Sequence, residues 1–183
     1  MRLLRCYVEN FGTIHKFSYE FAEGLNIINE MNGWGKTTFA VFIKAMFYGL
    51  ESTNKRNIED NERKKYMPWN GNKYGGYLVF KIGNKKYRVE RFFGNKERED
   101  YFNLYDEDTN TESDDYSSKL GEEIFKIDRE AFARSTFVPQ QQIKVKVNDS
   151  LSAKLTNMLE SDNDINNYEL AVSRLDEAMK AYK

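Results

Sequence analysis

The sequence predicts an α/β fold organised on a strand, a glycine-containing loop and a helix, and three observations carry that expectation. A short apolar run, residues 25–28, leads directly into a stretch containing Gly33 and Gly35. The segment that follows, residues 39–50, is apolar on nearly every side, as in a helix packed between other elements. Farther on, residues 77–82, 86–93 and 100–105 are strand-like and are separated by Gly83-Asn84 and Gly94-Asn95. That is the pattern of an antiparallel β-meander, spanning about residues 77–105.

The remaining elements follow in order. Residues 3–8 are rich in apolar and aromatic side chains and form a first strand, with Gly12 marking a turn. Phe17, Tyr19 and Phe21 alternate with Ser18 and Glu20, the period of a half-buried second strand. Residues 25–28 make a third, buried strand. Residues 51–65 are polar, highly charged and without period, and are expected to be a connection. Residues 120–132 carry Leu120, Ile124 and Phe125 at helical spacing. Near the C-terminus Ile165, Tyr168, Val172, Leu175, Met179 and Tyr182 repeat at alternating intervals of three and four, a heptad seam that stops in mid-pattern. The domain expectation is a lobe over residues 1–160 and the start of a coiled-coil helix over 161–183.

Bulk composition narrows the classes. The 183 residues are 40% hydrophobic and 15% aromatic, enough for a packed core. Charged residues make up 31% and nearly cancel to a net charge of −1, which excludes a wholly basic nucleic-acid binder. Cys6 is the single cysteine, so no internal disulfide is available. No apolar stretch approaches the ~20 residues of a membrane span, and charges interrupt the N-terminus where a signal peptide would be apolar. A soluble, cytoplasmic protein without membrane partners is expected.

The strongest chemical signal is Glu30-Met31-Asn32-Gly33-Trp34-Gly35-Lys36-Thr37, set between strand and helix. It fits the phosphate-loop pattern of P-loop NTPases, G-x-x-x-x-G-K-[ST], except that Glu30 stands at the first glycine. That residue begins the turn and does not itself hold phosphate. Successive backbone N–H groups of Asn32, Gly33, Trp34 and Gly35 would surround a β-phosphate, and the following helix would add its free amides and dipole. Lys36 would place its ammonium between β- and γ-phosphates, the Thr37 hydroxyl would take a position on Mg²⁺, and Thr38 would meet the α-phosphate. Trp34 stands where such loops usually carry a small residue, and is read as exposed at the loop tip or touching a partner surface. The guanine-reading Asn-Lys-x-Asp is missing, since all four Asn-Lys pairs lack the Asp. A GTPase is therefore disfavoured, as is a small kinase with an Arg-rich lid.

Residues 1–12, the acidic strand after them, residues 24–28 and the phosphate loop together resemble the opening of SMC-type ATPases. More narrowly they are similar to the SbcC family of DNA double-strand-break repair ATPases, with the RecN, RecF and YhaN-like groups close by. The helix over 39–50 and the block 127–140 are similar to the corresponding segments of that family. The resemblance implies an ABC-type head lobe with a mixed central sheet around the loop, a β-meander and a coiled-coil root, binding ATP and Mg²⁺. It implies that Gln140, directly after Pro139 and beside Gln141 and Gln142, reaches the metal and the attacking water as a catalytic group with Lys36. The arginine that the family commonly places after Asn-Phe is Gly12 here, so its phosphate contact is lost or passed to His15 or Lys16.

The resemblance also implies partners: a C-terminal half of the same kind of ATPase, a second head clamped by ATP, DNA, and an SbcD-type nuclease. Hydrolysis in such heads needs an Asp-Glu strand end and a Leu-Ser-Gly-Gly loop. Phe102–Glu107 imitates the first, but Asn103 breaks the apolar run and a turn follows, so it is read as a decoy. The second is missing from the chain, which is expected to be nearly inactive alone. Lys81, Lys85, Lys86, Arg88 and Arg91 could line a DNA-facing surface, although alternating charges on a solvated strand are the preferred reading. A defence or regulatory SMC-like ATPase and a P-loop kinase for a nucleotide or small molecule remain the alternatives.

Overall fold

The computed structural model describes residues 1–51, 57–58, 61–69 and 73–137. The chain falls into two units, Met1–Lys126 and Ile127–Lys183, and the sheet lies in the first. Strands β1 (Arg2–Phe11) and β2 (Ile14–Glu20) form a hairpin. Helix α1 (Lys36–Tyr48) and the short helix α2 (Glu62–Tyr66) come next. They are followed by β3 (Tyr74–Ile82), β4 (Lys85–Phe93), β5 (Tyr101–Asp106), β6 (Thr111–Glu112) and α3 (Leu120–Phe125). The second unit contributes α4 (Arg129–Ser135).

The strands make one six-stranded sheet in the order β2-β1-β3-β4-β5-β6. Each pairing is antiparallel, with Tyr7 opposite both Ser18 and Tyr77 and Leu78 opposite Val89. Period-2 alternation sorts the side chains by face. On β1, Cys6, Val8 and Asn10 are buried between the more exposed Arg5, Tyr7 and Glu9. The expected meander is present, and it continues the first hairpin in a single sheet.

The expected mixed sheet is not what forms. Residues 25–28 adopt no strand, and Leu25 and Ile27 are 83% and 76% exposed. A parallel strand needs a neighbour delivered by a long crossover connection. Among the described residues no strand lies beside this segment, so its apolar pattern goes without a ladder.

Helix α1 packs across the inner face against β1, β3 and β4. Phe42, Met46 and Phe47 are buried there with Val8, Leu78, Phe80, Val89 and Leu104. Phe11 meets Phe42 edge-on at 5.5 Å, and Phe47 meets Phe80 at 5.5 Å. The one charge on the helix beyond its first residue, Lys44, is 7% exposed and ion-paired to Glu62.

That pair belongs to an element the sequence reading missed. Part of the expected connection folds as α2, begun by Asn61, whose side chain accepts from the Lys64 amide at 3.2 Å. Arg63 of α2 is 4% exposed and grips Asp100 with both ends of its guanidinium, at 2.7 and 2.6 Å. The helix expected over 120–132 is likewise divided. Lys126, left-handed at φ 58°, ends α3, and Asp128 starts α4 by accepting from the Ala131 amide at 2.7 Å.

The heptad seam, the expected boundary at residue 160 and Gln140–Gln142 lie outside the described residues. Among those described, no helix is long and apolar enough to cross a membrane. Removing Asp100 would leave the Arg63 charge buried without its partner. Asp100→Ala is expected to lower unfolding free energy by about 3 kcal/mol, read from urea denaturation, while the same change at exposed Asp108 has a much smaller effect.

Candidate functional site

The phosphate-loop segment forms a left-handed approach to α1. Gly33 and Gly35 both have positive φ, at 90° and 113°. Gly35 is the N-cap of α1, and no side chain caps it. The helical hydrogen bonds begin with the Phe39 amide donating to the Gly35 carbonyl at 2.8 Å. The amides of Gly33, Gly35, Lys36, Thr37 and Thr38 therefore have no acceptor among the described residues. Free amides at a helix N-terminus form a site for an anion with several acceptor oxygens.

Lys36 lies over the loop. Its ammonium donates to the carbonyls of Glu30 at 2.7 Å and Met31 at 3.1 Å. Glu30, the departure from the glycine pattern, thus contributes a backbone carbonyl that any residue would supply. Thr37 is exposed and Thr38 half-buried. Asn32 is exposed at the turn.

Trp34 departs from its expected exposure. It is half-buried, with its ring 5.1 Å from Phe17 at 80° and 6.4 Å from Phe39 at 70°. The loop tip therefore leans on β2 and on the first turn of α1.

The hairpin turn and the loop also touch directly. A Cβ on Gly35 would lie 2.8 Å from Thr13 Oγ1, and one on Gly12, at φ 56°, would lie 2.9 Å from Thr38 Cγ2. Gly12 thus suits its own left-handed backbone, and a larger side chain at this position would press on the Thr38 methyl. His15 and Lys16 are both exposed. The His15 ring is held through Nδ1 to Asn10 Oδ1 at 2.6 Å, which leaves Nε2 as its free polar atom.

Beside this contact lies a cavity of about 580 Å³ lined by Asn10, Gly12–His15, Thr38 and residues 65–69. Trp69 is fully exposed at its rim. Residues 65–69 were not found by sequence reasoning. Their available signal was Asn61 ahead of a charged turn, an N-cap preceding α2.

Other candidates resolve differently. Asp106 accepts from the amides of Asp108 and Thr109 at 3.0 and 3.2 Å, and Glu107 pairs with Arg5 and, at 3.2 Å, with Arg88. The acid pair thus closes a turn and ties strands together, as the decoy reading expects. Several of the meander's basic residues have partners as well. Lys85 meets Asp115 at 2.6 Å and Lys86 meets Asp108 at 2.8 Å, while Arg91 is 7% exposed and donates to the Ser118 carbonyl. Among the described residues, no three His, Cys, Asp or Glu side chains gather where they could hold a metal.

The sequence model of the AAA domain family matches residues 5–183. No curated protein matches the chain. A side chain at Gly35 would meet both the positive φ and the Thr13 contact. Gly35→Ala is expected to lower unfolding free energy by about 2 kcal/mol, measured by chemical denaturation against Gly33→Ala. At Gly33 a Cβ would meet nothing within 4 Å, so only the φ penalty applies and the loss is smaller.

Proposed function

We propose, from the premise that this chain belongs to the AAA domain family of nucleotide-binding P-loop ATPases, that it is the ATP-binding lobe of an SMC- or SbcC-like head. The observation that carries the nucleotide reading is the set of acceptor-free amides of Gly33, Gly35, Lys36, Thr37 and Thr38, with the Lys36 ammonium folded over it. In this reading, amides from Asn32 to Thr38 bind the phosphate chain. Lys36 exchanges its two carbonyl partners for β- and γ-phosphate oxygens, a change from neutral acceptors to charged ones. Thr37 holds Mg²⁺ and Thr38 meets the α-phosphate. The adjoining cavity receives the nucleoside, with Trp69 available to stack on the base.

Mg²⁺, held by the Thr37 hydroxyl, would supply positive charge to offset that of the phosphate chain. Lys36 adds a fixed positive charge beside the same oxygens, which favours the transition state in which their charge grows. Gln140 is proposed to reach the metal and the attacking water, with Gln141 or Gln142 as its near neighbours in sequence.

The reading of a lobe that needs a second half is supported by the segment before the loop. Among the described residues the backbone of 25, 27, 28 and 29 has no hydrogen-bond partner, and Leu25, Ile27 and Met31 are 83%, 76% and 84% exposed. Unpaired strand-like backbone with bare apolar side chains is stabilised by an added strand. A C-terminal half of the same kind of ATPase would supply it, and a second head would complete the ATP sandwich. DNA and an SbcD-type nuclease are the proposed downstream partners, with DNA double-strand-break repair or DNA processing as the role.

Titration of a fluorescent Mg²⁺–ATP analogue tests this. Lys36→Ala is expected to weaken binding by about 30-fold, the worth of a charge-assisted contact. Trp69→Ala is expected to weaken it by about fivefold through lost stacking. The chain alone should return bound ATP unhydrolysed. Equal affinity of wild type and Lys36→Ala would overturn the assignment, and steady transfer of phosphate to a small acceptor would favour the kinase reading.

A further inference from the structure

The tryptophan at position 34 has a structural explanation and a functional consequence. Three rings close a triangle at the loop tip. Trp34 lies 5.1 Å from Phe17, Phe17 lies 5.5 Å from Phe39 at 89°, and Phe39 lies 6.4 Å from Trp34. The members come from the loop, from β2 and from the first turn of α1. Phe39 is 1% exposed and also meets Tyr19 at 5.7 Å and Phe42 at 6.5 Å, so the triangle is continuous with the core.

Beyond the packing of Gly35 against Thr13 and Ile14, few hydrogen bonds hold the tip in place among the described residues. Within the loop, the Trp34 amide donates to the Met31 carbonyl at 3.3 Å, and Lys36 reaches back to Glu30 and Met31. When phosphate arrives Lys36 has to leave those carbonyls, and the loop loses that restraint at the moment its amides must be in position. Trp34 sits one residue before the N-cap Gly35, and its attachment to Phe17 and Phe39 does not depend on Lys36.

We propose that Trp34 is a positioning residue for the phosphate site: its ring, wedged between Phe17 and Phe39, holds the amides of Gly33 to Thr38 in their binding arrangement before the triphosphate enters. The inference rests on the nucleotide reading above and adds what preorganises that site. A loop already set binds without the conformational entropy cost of ordering it. Edge-to-face rings carry this restraint at a position where a small residue would leave the tip free. The ring acts through the loop, so its effect belongs to the phosphate end of the ligand and not to the base.

Inorganic tripolyphosphate with Mg²⁺ isolates that end. Its affinity is measured by calorimetry and its association by stopped flow, for wild type and for Trp34→Ala, Trp34→Phe, Phe17→Leu and Lys36→Ala, alongside each thermal midpoint. Trp34→Ala is expected to weaken tripolyphosphate binding by about tenfold, as loss of the ring contacts implies. Its observed association rate should plateau with ligand concentration, because binding waits for the loop to form. Trp34→Phe should return affinity to within about threefold of wild type, since a ring remains to pack. Phe17→Leu, which keeps volume and removes the partner ring, should reproduce the loss and decides the matter if Trp34→Ala does not fold. A ring that only stabilises the fold would lower the thermal midpoint and leave tripolyphosphate affinity and its kinetics unchanged; that result overturns the proposal. So does a Trp34→Phe variant as weak as Trp34→Ala. If Lys36→Ala binds tripolyphosphate as wild type does, the phosphate site itself is wrong and the positioning role falls with it. Loss in Lys36→Ala with no loss in Trp34→Ala or Phe17→Leu sinks the positioning role alone.

Discussion

The close approach of the β1–β2 turn to the phosphate loop is the constraint on which the site depends. It is possible because both surfaces carry a glycine. Gly12 leaves room for Thr38, and Gly35 leaves room for Thr13. Each has a positive φ that other residues rarely adopt. A hairpin paired along most of its length thus backs a loop that has few hydrogen bonds of its own. Trp34 adds a third point of contact through Phe17. The backing matters because free amides bind an anion well only when they already converge.

Helix α1 transmits this arrangement into the core. Its N-terminus carries the donor amides, and its body is fixed on the sheet by Phe42, Met46 and Phe47. Its single charged residue beyond the first turn, Lys44, is spent on Glu62 of α2. Arg63, next in sequence, is locked to Asp100 beside β5. These two buried pairs determine where α2 lies, and through it where Tyr66 and the residues leading to Trp69 meet the cavity. The Gly12 amide completes the link by donating to the Tyr66 carbonyl at 2.8 Å. Buried ion pairs contribute modestly to net stability, but breaking one is costly, so they select a single placement.

The sheet has an unfinished side. β2 is its edge, and the strand-like segment that leaves it for the phosphate loop has neither ladder nor cover among the described residues. Exposed Leu25 and Ile27 are costly in water, and unpaired strand backbone tends to recruit a partner. The half-finished edge and the well-formed phosphate loop lie on one continuous stretch of chain. Pairing of that stretch would therefore bear directly on the loop's entry.

Much of this was legible in the residues themselves. The apolar and aromatic content of residues 3–8, the turn at Gly12 and the alternation at Phe17, Tyr19 and Phe21 marked the first two strands. The continuous apolar surface of residues 39–50 marked a helix buried in the core, and Gly33 and Gly35 marked the left-handed loop that leads into it. These signals are local, because φ/ψ preference and burial period are written over a few neighbouring residues. The buried role of α2, the division of the helix expected over 120–132 and the packing of Trp34 were not legible. The first and last depend on a distant partner, as Arg63 on Asp100 and Trp34 on Phe17, whereas the break in the helix is made locally by Lys126 and Asp128. The sequence by itself determined which segments are strand, helix and phosphate loop wherever the period was strong. Only the tertiary structure decided that residues 25–28 lie open, that Asp106 and Glu107 are consumed by a turn and by Arg5 and Arg88, and that the hairpin backs the loop. The physical reason is that a strand exists only beside a neighbour, and a charge is free only if nothing far along the chain reaches it.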